Sequence, residues 1–205
     1  MTFDSAYPKP LEALINIFRR LPGIGQRNAE RLALALLQWP EEELQRFGRG
    51  IATLKERICF CEICGNLADS KVCHICSSSS RNRSEICVVE QASQILTIEK
   101  SASYHGLYHV LGGRIVPLQG KGPDDLRINE LRQRVQGGEV SELILATSPD
   151  VEGEATANFI AAEFEALPIR ITRIAAGVPV GSDLSFADAA TMAMALRGRR
   201  SLREK

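Results

Sequence analysis

Two sets of side chains have the types and spacing to do chemistry, and the first is acidic. Leu143-Ile-Leu145 reads as a buried strand, and Ala146-Thr-Ser-Pro-Asp150-Val-Glu152-Gly-Glu154 follows it as the opening of a helix. Ile86-Cys-Val-Val-Glu90 is a second apolar strand that ends on a carboxylate. In open α/β sheets, ligands and metals collect just beyond the carboxyl ends of strands. Glu90, Asp150 and Glu152 converging there would offer oxygen ligands to a hard cation such as Mg²⁺. Equally, Glu152 and Glu154 would serve only to complement the positive end of a helix.

The second set is sulfur. Cys61-x-x-Cys64, eight residues, then Cys73-x-x-Cys76 makes two metal-ligand knuckles. Each pair can chelate one side of a tetrahedral Zn²⁺, and four thiolates close the site, so the metal would be structural rather than catalytic. Four unliganded core cysteines are the alternative. Gly65 suits the tight turn after the first knuckle. Cys59 stands in a Cys-x-Cys spacing that fits a knuckle less well, and His74 reads as a surface residue. Cys87 reads as an apolar residue of a buried strand.

A third feature is the string Leu21-Pro-Gly23-Ile-Gly25, which joins two helical stripes. Gly23 and Gly25 let the chain turn sharply and leave backbone N–H groups uncovered at the next helix start. Such groups grip a phosphate without reading bases. Arg27 and Arg31, four apart, share one helical face, and Arg19 and Arg20 lie across the turn. An ordinary αα-hairpin with solvated arginines has the same pattern.

The elements that must hold these groups are legible from periodicity. Leu11, Leu14, Ile15 and Phe18 form one helical stripe, and Ala29, Leu32, Ala33 and Leu36 a second. A third helix is expected from Pro40, with Glu41, Glu42 and Glu43 in its first turn. Its set Leu44, Phe47, Ile51, Leu54 and Ile58 predicts one buried face. Ser77 to Ser80 reads as a flexible connector. Beyond it, strands are expected at Ile86–Glu90, Leu107–Leu111, Leu143–Ala146 and Ile169–Ile174. Helices are expected at Ala92–Glu99, Asp125–Val135, Gly153–Ala166 and Asp188–Arg197. That alternation predicts a mainly parallel sheet. The fold class is therefore α/β, with a helical region over 1–58, a zinc module over 59–80, a sheet domain over 84–180 and a C-terminal helix and tail over 181–205. Gly198 to Lys205 is expected to fray.

With 205 residues and a net charge of zero, the chain has no global basic field, so contact with nucleic acid must use a local patch. No apolar run approaches a membrane span, so no membrane partner is expected. The N-terminus lacks a signal-peptide core, and a cytoplasmic protein is expected. In that compartment six cysteines point to metal rather than disulfides.

Three resemblances gather these features together. The acidic segment is similar to the motif of the Toprim fold, in which a strand-end Glu is followed by Asp-x-Asp and, in some members, a further Glu. Glu90, Asp150 and Glu152 match three of those positions, and Ser148 stands where the first Asp is expected. Leu21-Pro-Gly-Ile-Gly25 with Ala29, Arg31 and Leu32 resembles the helix-hairpin-helix of DNA-repair proteins. The order hairpin, four-cysteine module, Toprim resembles the RecR family of bacterial recombination mediators. Tyr108-His-Val-Leu111, Gly122-Pro-Asp-Asp125, Glu152-Gly-Glu-Ala-Thr156 and Gly177-Val-Pro-Val-Gly181 extend the likeness over nearly the whole chain.

That resemblance implies a non-catalytic, nucleoid-associated protein that forms dimers or tetrameric rings. It implies non-specific binding of single-stranded and duplex DNA through Gly23, Gly25, Arg27 and Arg31. RecO and RecF are the implied partners in loading RecA onto single-stranded DNA, with Glu152 and Glu154 on the RecO-facing surface. Zinc on Cys61, Cys64, Cys73 and Cys76 carries over directly. Asp150 departs from the family pattern, which more often has a neutral residue there, and keeps weak Mg²⁺ binding open. The alternative reading is a metal-dependent Toprim nuclease using Glu90, Asp150 and Glu152.

Overall fold

The computed structural model describes residues 7–201, and the last four residues of the tail expected to fray lie outside them. The chain divides into two compact units, Met1–Arg57 and Ile58–Lys205.

The first unit is helical. Helix α1 spans Lys9–Phe18 and α2 spans Gln26–Leu36. Pro8 caps α1 and Pro10 lies in its first turn, where a missing N–H costs nothing. Ile15 packs on Ala29 and Ala33, with Leu11, Leu14, Phe18 and Ile24 around them. The two alanines let the helices approach closely. The turn between them holds Gly23 at φ +77°, a conformation that suits glycine.

Helix α3 covers Glu41–Ala52, and a separate turn, α4, covers Leu54–Arg57. Here the structure departs from the expected single helix with a buried face. Thr53 breaks the helix at φ −95°, ψ 3°, and its hydroxyl donates to the Arg49 carbonyl at 2.9 Å. Such back-bonding competes with helix continuation. No residue of α3 is buried, and Phe47, 40% exposed, meets the edge of Trp39 at a ring separation of 5.6 Å. The stripe is amphipathic as read, but Leu44, Phe47, Ile51, Leu54 and Ile58 all stay exposed.

The second unit begins with a short antiparallel pair, β1 (Cys59–Phe60) and β2 (Leu67–Ala68), and the turn α5 (His74–Ser77). A sheet then alternates with helices: β3 (Asn82–Val89), α6 (Ala92–Lys100), β4 (Gly106–Val110), α7 (Ile128–Gln136), β5 (Glu142–Ala146), α8 (Val151–Glu163), β6 (Arg170–Arg173) and α9 (Ala189–Arg197). The strands are all parallel in the order β4-β3-β5-β6. The chain starts in the middle and runs first one way, then the other, so a crevice opens beyond the ends of β3 and β5. Val89 pairs with Ala146 there, which sets Glu90 beside the residues that follow β5. Ile86, Val88, Val89, Leu143 and Leu145 are all buried, as expected for parallel strands covered on both faces.

Several expected boundaries move, among them the helix expected over Gly153–Ala166, which runs Val151–Glu163. Strand β3 starts four residues early, because Asn82–Glu85 is polar and shows no alternation; its ladder shifts register between Asn82 and Ile86. The serine tract is an ordered turn, with Ser78 and Ser80 bonded at 2.8 Å and Arg81 paired with Glu99. Helix α7 starts at Ile128, because Pro123–Asp125 closes its own 3-10 turn first.

Candidate zinc centre, acidic strand end and DNA-contact hairpin

The β1–β2 pair builds the first knuckle. Cys61 N–H donates to the Asn66 carbonyl at 2.7 Å, and Gly65 N–H returns to the Cys61 carbonyl at 2.9 Å with φ +75°. The left-handed backbone is what favours glycine at Gly65; a side chain there would also displace the end of the Arg127 side chain. The second knuckle forms on α5, where Ser77 N–H donates to the Cys73 carbonyl at 3.1 Å. The sulfurs of Cys61, Cys64, Cys73 and Cys76 are all buried and lie within 4.8 Å of one another.

Four thiolates bound to Zn²⁺ at about 2.3 Å stand about 3.8 Å apart. Cys64 and Cys73 already lie at 3.6 Å. The donor set therefore fits zinc and leaves no open coordination position. The thiol of Cys76 and burial together push the Cys64 thiol far up. Burial also opposes ionisation of Cys61, but N–H donors from Cys73, Cys64 and Ile63 outweigh it and bring that thiol down to about 7. A cation is what lets all four ionise together. Cys59 stays outside the group, its exposed thiol donating to the Ala68 and Ser70 carbonyls, and His74 is exposed. Cys87 is buried in β3, which pushes its thiol up to about 12.

The acidic strand end is arranged differently. Glu90, 6% exposed, accepts from Ser148 twice: from its N–H at 2.7 Å and from its hydroxyl at 3.0 Å. Asp150 caps α8 by accepting from Gly153 N–H at 2.8 Å and is paired with Arg114, whose Nη1 also stands 3.9 Å from Glu152. The Gly153 N–H first, and then Arg114, hold the Asp150 carboxyl below its ordinary range. Glu154 is paired with Arg173, which also donates to the Ser148 carbonyl at 3.2 Å. A side chain on Gly153 would overlap that same carbonyl, so α8 can open this close to the strand end only with glycine there.

The expected convergence of Glu90, Asp150 and Glu152 on one cation is therefore not what the structure shows. Among the described residues, only the four cysteines form a group of three or more potential metal ligands. Glu90 turns to the loop after β5, Asp150 turns back to cap its helix, and Arg114 stands beside both Asp150 and Glu152. The sequence reading missed Arg114 and Arg173, the arginines that pair with these carboxylates. Arg114 sits in the loop after β4, 36 residues from Asp150, where no periodic signal links the two.

In the hairpin, Gly25 is the N-cap of α2 with no side chain capping it, so the first-turn N–H groups face outward. Arg19, Arg20, Arg27 and Arg31 are all exposed. The structure thus places Gly23, Gly25, Arg27 and Arg31 around one solvent-facing turn and helix start. Among the described residues no helix is long and apolar enough to cross a membrane.

Comparison with known proteins gives four matches along the chain. Residues 11–54 match the family described as the RecR helix-hairpin-helix, and 58–78 the RecR four-cysteine zinc finger domain. Residues 84–175 match the Toprim domain, and 177–200 the RecR C-terminal family. The recombination protein RecR of Bifidobacterium longum is 46% identical over 195 residues, covering 95% of this chain and 98% of that protein. That of Clostridium perfringens is 47% identical over 193 residues, covering 94% and 97%.

Proposed function

The chain belongs to the RecR family of recombination proteins, and from that premise we propose that it is a non-catalytic mediator whose three parts bind DNA, fold around zinc and dock a partner. Gly23, Gly25, Arg27 and Arg31 hold the DNA backbone, single-stranded or duplex, without reading sequence. Glu152 and Glu154 present the docking surface for RecO. With RecO and RecF, the protein loads RecA onto single-stranded DNA at the nucleoid in the cytoplasm. It acts as a homo-oligomer, a dimer or tetrameric ring, which sets several weak hairpins on one DNA. The uncovered apolar faces support self-association: no residue of α3 or of α9 is buried.

One observation carries the non-catalytic part. Glu90 is served by Ser148, and Asp150 by Arg114 and by its own helix, so the groups a metal-dependent nuclease would use are already occupied within the chain. Weak Mg²⁺ binding at Asp150 would have to compete with a guanidinium. The nuclease reading on Glu90, Asp150 and Glu152 has no comparable support.

The test is RecO binding by the purified protein, wild type against Glu152→Ala/Glu154→Ala, with cleavage of labelled DNA in Mg²⁺ or Mn²⁺ assayed on the same preparations. Asp150, a helix cap, is left intact so that the fold is not the variable. Binding that is lost in the double variant, with no cleavage by either, is expected. Metal-dependent cleavage that disappears in the variant, with no RecO binding, would overturn the mediator reading.

A further inference from the structure

Arg134 is an inward-facing cation without an acid partner. It lies on α7 among the buried Ile128, Leu131 and Val135. Its Nη1 donates to the Tyr108 carbonyl at 2.6 Å and stands 3.2 Å from Nδ1 of His109. The neighbouring arginines of this segment are both paired, Arg127 with Glu130 and Arg132 with Glu163. Among the described residues no carboxylate lies within 4.0 Å of Arg134.

A charge withdrawn from water is costly unless something of opposite sign answers it. At one edge of β4 the Tyr108 carbonyl accepts from Arg134 and, two residues on, Val110 N–H donates to the Cys64 carbonyl, so the guanidinium stands beside the first knuckle, and the sulfurs of Cys76, Cys64 and Cys61 favour its charge against the cost of burial. The zinc module is seated on this part of the sheet: Val110 N–H donates to the Cys64 carbonyl at 2.7 Å, and α5 packs on β4.

His109 holds the guanidinium in place. It is fully buried on β4, with Nε2 2.7 Å from the Arg127 carbonyl. A guanidinium can only donate, so Nδ1 is the acceptor and Nε2 carries the proton. Burial, and next the charge of Arg134, keep this ring neutral, its pKa down at about 3.

Zn²⁺ with four thiolates carries a formal charge of −2. We propose that the Arg134 guanidinium, set by neutral His109, is the resident counter-charge of the zinc–thiolate cluster and tightens its hold on the metal. Arg134 has no lone pair to offer and is not a ligand. It acts through the thiolates, as a positioning charge.

The proposal rests on zinc occupying the four cysteines, and the experiment separates the two. Zinc affinity of the full-length protein is measured by competition with a chelator for wild type, Arg134→Met, Arg134→Lys and the surface control Arg132→Met. The sulfur-to-metal charge-transfer band is recorded for each with Co²⁺ in place of zinc. Wild type must bind one zinc per chain, or the zinc assignment itself fails. Given that, Arg134→Met weakens zinc by about 10- to 100-fold, the range for partners behind metal ligands. It also perturbs the Co²⁺ band, whereas Arg134→Lys stays within a few-fold of wild type and Arg132→Met matches it. A purely structural role would lower the melting temperature of zinc-free and zinc-loaded protein alike and leave the affinity unchanged. A folded Arg134→Met with wild-type affinity overturns the proposal. Should Arg134→Met fail to fold, Arg134→Lys decides alone: retention upholds the charge, and a loss of tenfold or more overturns it.

Discussion

The zinc knuckles and the acidic strand end both gather groups that repel one another once ionised, yet the first crowds them together in the interior and the second spreads them over separate partners. Four thiols stand within 4.8 Å, and burial opposes the ionisation of Cys61, Cys64 and Cys73. At the strand end three carboxylates have donors of their own, Ser148 for Glu90, Gly153 and Arg114 for Asp150, and Arg173 for Glu154, and Glu152 shares Arg114 at 3.9 Å. Ligand types alone suggested a cation in both places. What separates them is crowding in the interior, since carboxylates already satisfied gain little from a metal and crowded buried thiols gain a great deal.

The comparison can be broken most forcefully at the thiols. Replacing Cys64 by serine removes a thiolate from a closed site, and unfolding monitored with and without a strong chelator is expected to fall by several kcal/mol. In that variant chelator should have little further effect. Stability close to wild type would mean that metal does not hold this module together.

A smaller effect is expected when a second acid is placed at the strand end. Ser148→Asp takes the hydroxyl from buried Glu90 and adds a like charge, which costs about 2–3 kcal/mol in denaturant melts without divalent cation. Millimolar Mg²⁺ recovers part of that loss if the backbone retains the shape of a cation site. No recovery would show that the crevice has lost that geometry altogether.

The smallest effect belongs to Arg114. It is solvent-facing, and so is its pair with Asp150, so Arg114→Gln should leave the melting temperature essentially unmoved. Its signature is instead a weak Mg²⁺ heat in isothermal titration that wild type lacks. Equal heats from both proteins would show that the guanidinium is not what keeps cations away.

Legibility in the sequence tracked how local each constraint is. The knuckles were readable because both ligands of each pair lie three residues apart, and the strands of the sheet because buried runs such as Ile86–Val89 carry their own signal. The carboxylates were placed correctly at strand ends, but their state depended on Arg114 and Ser148, partners 36 and 58 residues away. Asp150 as a helix cap was within reach, since an Asp three residues before Gly153 at a helix start is a recognisable pattern. The stripe Leu44–Ile58 shows the opposite limit. Periodicity tells which face of a helix is apolar but not whether the same chain supplies its cover.

The place where the Cys64 carbonyl meets Val110 N–H has a further consequence for the chain as a solute. Strand β4 is one of the two outermost strands of the sheet, and all of its residues, Gly106–Val110, are buried. A long apolar edge of that kind templates pairing with other chains unless it is covered. The zinc module supplies the cover by lending its own backbone to the last residue of the strand. Stripping the metal then loosens a lid over an aggregation-prone edge, so the metal-free protein would be lost from solution by self-association before its sheet had melted.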